Sequence, residues 1–231
     1  MHPLHRVRIQ EAAVENTSNT TFTLSRPLRW GFWTCTVIAI AAVLRRIVVF
    51  VVPVRSGPPQ LVALDAAFFS HEALTLAHIL PALAFVLLAP MVVLRSSERA
   101  TPWKRPFFVL GVIVGITAFA MSVFSIGGWT ERSAVFFFDA LFLFSLLRAY
   151  LNWRQGRGLL ERKWTLRAVA ILLGIATTRP VMGVFFATSR FTLLEPRQFF
   201  GIAFWIGFSL NTIAIELWLR SRERSANRRP V

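Results

Sequence analysis

Residues 71–105 read HEALTLAHILPALAFVLLAPMVVLRSSERATPWKR. An apolar run from His71 to Leu94 is closed by a basic cluster of Arg95, Arg99, Lys104 and Arg105. A run of that length, as a helix rising about 1.5 Å per residue, crosses about 30 Å of hydrocarbon. Working outward from it, runs of the same kind stand at Trp30 to Pro53, Phe107 to Ile126, Ser133 to Tyr150, Ala168 to Thr188 and Phe199 to Leu219. The chain is therefore predicted to be all-α, a six-helix transmembrane bundle. Its 55% apolar content, with 22 Phe and 8 Trp, departs from an average soluble domain in the same direction.

With 231 residues, subtracting six spans leaves no room for a second globular domain. The expected organisation is a disordered arm over residues 1–28, a membrane domain over 29–220 and a basic tail over 221–231. The arm is rich in Thr, Ser and Asn and has no helical or strand period, so no function is assigned to it. The first apolar run is too long, and starts too late, for a cleaved signal peptide. Cys35 is the single cysteine and lies inside that run, which excludes an intrachain disulfide and a cysteine metal site.

Basic residues alternate between the gaps. Alternate gaps, the arm and the tail hold 19 Arg and Lys, and the remaining gaps hold 4. The positive-inside rule then places both termini in the cytoplasm, in the cell membrane. The same distribution accounts for the net charge of +15. The charges are spread along membrane edges and suit anionic lipid at the cytoplasmic face rather than nucleic acid. For the same reason Asn16 and Asn19, though they head formal glycosylation triplets, are discounted. Arg outnumbers Lys by 24 to 2, which points to genome composition and a bacterial source.

Ionisable groups at membrane depth cost about 2.5–3.5 kcal/mol on insertion scales unless paired or hydrated. The candidates are Arg45 and Arg46 in the first span, His71, Glu72 and His78 in the second, Asp139 in the fourth, Arg179 in the fifth, and Asn211 and Glu216 in the last. His71 and His78 share one helix face. Pro81 and Pro180 stand next to ionisable residues and free the carbonyls of Ala77 and Ala176. With the orientation above, Arg45, His78, Asp139 and Arg179 fall in the outer half and form a polar cavity or an ion-pair cluster. The expected pairing is Asp139 with Arg179 or Arg45, whereas Glu216 is placed to pair with Arg220 one turn on and Asn211 to bond across helices.

Two regions carry a resemblance. Leu64-Asp65-Ala66-Ala67-Phe68, His78-Ile79-Leu80-Pro81-Ala82 and Ala89-Pro90 resemble the start of the bacterial membrane-protein family called domain of unknown function 2306. Trp164, Arg167, Arg179, Trp205, Asn211 and Glu216 are similar to its closing motif, and the likeness covers roughly residues 30 to 220. It implies a multi-pass bundle and no established activity. The family pattern has a His before the third span and another before the fifth, where this chain has Trp103 and Glu161.

No catalytic residue set, metal-ligand spacing or phosphate-binding Gly loop is visible, and Gly127-Gly128 reads as a tight turn. Three functions compete. A structural or accessory membrane protein explains the sequence most simply, the polar groups then specifying helix packing. A small-solute or proton transporter, or a ligand-binding membrane protein, is the alternative. A b-type haem protein is disfavoured: both membrane-level imidazoles lie on one helix, and His2 and His5 lie in the arm. The expectation is no cofactor, the lipid bilayer as partner, and no assigned protein partner.

Overall fold

The computed structural model describes residues 24–52, 69–95, 97–192 and 196–227. Seven helices occupy them: α1 (Arg26–Val51), α2 (Glu72–Val93), α3 (Ser97–Ser122), α4 (Gly128–Arg154), α5 (Gly158–Leu172), α6 (Gly174–Thr192) and α7 (Pro196–Asn227). Six stretches are long and apolar enough to cross a membrane, α5 and α6 together making the fifth. The protein is an all-helical, multi-pass membrane protein.

The helices run past the apolar runs that announced them. α3 begins ten residues before Phe107, α5 ten before Ala168, and α7 extends to Asn227. The basic residues of the gaps between spans are thus mostly carried on helix ends, because Arg and Lys propagate a helix well and keep their charges in water there. Residues 26–28 and 221–227, expected in the arm and the tail, are helical. The rest of the arm, with His2, His5, Asn16 and Asn19, lies outside the described residues, as do Pro53, Leu64 to Phe68 and residues 228–231.

The two ends of the bundle differ. At the arginine-rich end the start of α5 meets its neighbours through charges: Lys104 on α3 donates to Glu161 at 2.9 Å, Lys163 to Glu223 on α7 at 2.7 Å, and Arg162 to the carbonyl of Val93, which closes α2, at 3.0 Å. At the opposite end the contacts are aromatic and close. Phe50 packs on Phe69, His71 on Phe124, and Phe186 on Phe199.

Between the ends, buried Phe85, Phe107, Phe138, Phe142 and Leu146 form the core with Ala134, Ala149 and Ala168. Leu80, Leu87, Val109, Ile116, Phe144, Leu147, Ile213 and Leu217 face outward. That outward apolar surface is what lipid tails require. Trp30 and Trp129 are 75% and 76% exposed at the starts of α1 and α4, where interfacial aromatics stand.

The fifth span is broken at Leu173. There the Ala176 amide donates to the Leu173 carbonyl at 3.0 Å, an i−3 bond that tightens the turn. The sequence had pointed to Pro180, yet α6 runs through it. Its ring crowds the Ala176 carbonyl, yet the break stands at Leu173, about two turns earlier and beside Gly174. α2 likewise continues through Pro81 and Pro90.

Candidate functional site

The bundle holds a partly open cavity of about 500 Å³. Its walls bring together Arg45 and Arg46 from α1, His71 and His78 from the start of α2, Glu131 and Asp139 from α4, and Arg179 from α6. Arg45, His78, Asp139 and Arg179, expected from the sequence as an outer-half cluster, all border this one space, and so does His71.

Packing between the helices explains the shared level. On α3, Gly115 faces Leu143 of α4 and Phe119 packs on Phe136, so Thr117 lies opposite the turn that carries Asp139. Phe138 stacks on Phe208 of α7, and the adjacent Gly207 meets Thr178 of α6, next to Arg179. His78 joins the layer through its Nδ1, 2.9 Å from Thr117 Oγ1. The Thr117 hydroxyl donates to the carbonyls of Ile113 and Val114 at 2.7 and 3.0 Å. With that proton on a carbonyl, Thr117 Oγ1 accepts from Nδ1 of His78 in its Nδ1–H tautomer; the other tautomer exchanges the two roles. The Thr–His contact positions the imidazole and activates no nucleophile.

Asp139 is the exception in this layer. It is 9% exposed, borders the cavity, and its Oδ2 has no hydrogen-bond partner among the described residues. Among the described residues the expected ion pair of Asp139 with Arg179 or Arg45 does not form, although all three border the same cavity. Arg179 makes neither a hydrogen bond nor an ion pair with a described residue; its open surface borders the cavity, and it feels the charges of Arg45, Arg46 and Glu131.

His71 sits at the N-cap of α2, with Nδ1 2.9 Å from Ser70 Oγ and its ring stacked at 3.7 Å on Phe124. It thus borders the cavity from a helix end rather than from one stripe with His78. Glu72 is exposed in the first turn, where a carboxylate suits the helix dipole.

Sequence reasoning missed Glu131. It precedes the apolar run that begins at Ser133 and so fell outside the search for ionisable residues within spans. In the structure it lies in the first turn of α4, and its Oε2 accepts from the Gly127 amide at 2.6 Å. The available signal was an acid three residues after a Gly pair, the pattern of a helix start.

Asn211 and Glu216 stand outside the cavity. Asn211 Oδ1 accepts from Thr177 Oγ1 at 2.8 Å and its Nδ2 donates to the Ala170 carbonyl at 3.2 Å. Glu216 pairs with Arg167, whose guanidinium also covers the Trp164 ring at 4.5 Å, and not with Arg220. The bidentate fork reaches across from α5.

Among the described residues no group of three or more His, Cys, Asp or Glu is arranged to hold a metal. No protein family, curated protein or solved structure matches the chain.

Proposed function

We propose that this is a cell-membrane protein, with both termini cytoplasmic, that binds a small ligand in the cavity bordered by His78, Glu131, Asp139 and Arg179. Asp139 carries the reading. Buried polar atoms in native proteins are nearly always satisfied, and one left alone costs about 1–3 kcal/mol. A carboxylate kept at that cost beside a 500 Å³ cavity, a size within the roughly 300–1,000 Å³ of ligand sites, has its partner in an occupant. Small-solute or proton transport is the form of this reading in which the occupant moves on.

The accessory reading draws on the other half of the bundle, where the Arg167–Glu216 pair and Asn211 tie α5, α6 and α7 together. Those are packing contacts. Trp164, Arg167, Asn211 and Glu216 also belong to the closing motif that resembles the family called domain of unknown function 2306, and we infer membership on that likeness. Haem has no part in the proposal: His71 is stacked on Phe124, and His78 has no imidazole facing it from another described helix. The orientation rests on the basic-residue asymmetry, and it places the arginine-rich end against anionic lipid.

Replacing Asp139 by Leu separates the readings. A ligand site predicts an unchanged or raised thermal midpoint in detergent, since an apolar side chain of similar size removes an unsatisfied group. A drop equivalent to several kcal/mol would make Asp139 a structural residue and end the proposal.

A further inference from the structure

We infer that the occupant is a zwitterion on an apolar body, its ammonium held by Asp139 and its carboxylate or phosphate by Arg179. This deepens the ligand reading and rests on it: the partner that Asp139 lacks is the ligand's N–H. Two groups of opposite charge border one cavity, and neither makes a hydrogen bond or an ion pair with a described residue. At membrane depth each is costly while it stands alone. Glu131 is near enough for its charge to reach Arg179, but its Oε2 accepts from the Gly127 amide, and the guanidinium keeps its N–H donors unused among the described residues. Arg45 and Arg46, which have interactions of their own, are not needed to hold the ligand.

A ligand with one head cannot serve both side chains. An anion would pair with Arg179 and leave Asp139 without a donor, and a cation would pair with Asp139 and meet Arg179 as a like charge. A molecule with both groups gives each side chain a charge-assisted hydrogen bond and enters with no net charge. It would also bridge α4 and α6, which carry the two residues. Val135, Phe142, Ile175, Phe204 and Phe208 line other parts of the wall, so the ligand's body meets hydrocarbon and aromatic side chains. The volume leaves room for that body beside the two charged groups. Such a molecule has two sources: the aqueous side, as an amino acid with an apolar side chain, or the bilayer, as an amine-headed phospholipid.

The test uses the full chain in phosphatidylcholine nanodiscs, whose lipid head carries no N–H, with binding followed by native mass spectrometry and thermal shift. One probe set shares a phenyl body: phenylalanine as the zwitterion, phenethylamine as the cation, 3-phenylpropionate as the anion and 3-phenylpropanol as the neutral form. A second set, for the bilayer source, dopes the nanodisc with phosphatidylethanolamine or with phosphatidic acid, which lacks the ammonium. The expected result is that the zwitterion of one set binds at least about tenfold more tightly than its singly charged analogues, the size of one charge-assisted hydrogen bond, and the set that does so names the source. Asp139→Leu should lower that zwitterion to the affinity of its anionic analogue. Arg179→Gln should cost it at least about tenfold as well, and Arg179→Lys should keep part of the gain. A zwitterion no better than a singly charged analogue in both sets, or one whose affinity is unchanged in Asp139→Leu or in Arg179→Gln, overturns the inference. If no probe binds it is overturned too, and the Asp139→Leu midpoint, which needs no ligand, decides separately whether the ligand reading survives.

Discussion

Glu161 is 6% exposed and Lys104 3% exposed, and the ammonium stands 2.7 and 2.9 Å from the two carboxylate oxygens. This buried ion pair joins two residues that the sequence placed in the gaps between apolar runs. Such a pair is weak evidence for stability but costly to break. Glu161→Leu alone is expected to cost about 3–5 kcal/mol by removing the carboxylate from this buried pair. Adding Lys104→Met should recover much of that loss, so the double variant falls short of the sum of the singles in chemical denaturation; strict additivity would contradict the pairing. Asp139 shows the opposite arrangement, a buried acid with no such partner. Both residues were visible as letters. What each one faces was not.

At the scale of elements, α6 and α7 touch backbone to backbone. A Cβ on Gly207 would lie 2.7 Å from the Thr178 amide nitrogen, and one on Gly174 would lie 2.9 Å from Phe208 Cα. Without a hydrophobic force between helices in lipid, such small-residue contacts let van der Waals packing bind them. Gly207→Ala must push the helices apart and should lower stability by about 1–3 kcal/mol, the usual cost of overpacking. Gly31→Ala, on α1 where nothing lies within 4 Å, is the control. It should be neutral or stabilising by up to about 1 kcal/mol through helix propensity. Equal effects on a thermal midpoint would mean that the α6–α7 contact is not tight. The break at Leu173 belongs to this scale as well. Pro180 announced a defect in the fifth span, but the break stands at Leu173, beside Gly174, where the chain packs closely on Phe208.

For the whole molecule, the proposed orientation makes a prediction about sidedness. With Cys35 replaced by Ala, a cysteine at Trp129, exposed at the start of α4, should react with a membrane-impermeant maleimide on intact cells. A cysteine at Gly156, at the turn between α4 and α5, should react only after the cells are opened. The reverse pattern would place the arginine-rich end outside and invert the topology.

Residue order alone determined that the chain spans a membrane six times, because the length and composition of an apolar run are local quantities and the bilayer reads them directly. It also singled out Arg45, His71, His78, Asp139 and Arg179, since an ionisable residue within such a run stands out wherever it lies. Tertiary structure decided the rest. The spans are apolar on nearly every side: Leu80 and Leu87 face outward while Phe85 and Val86 are buried on the same helix. Hydrophobicity therefore cannot say which face meets lipid and which meets protein. That choice comes from close contacts such as Gly207 on Thr178 and from the charge pairs at the arginine-rich end. Partners 49 and 57 residues apart, as in Arg167–Glu216 and Lys104–Glu161, leave no local periodic trace. Only when the helices close around one cavity does it emerge that Asp139 and Arg179 share a wall without sharing a bond.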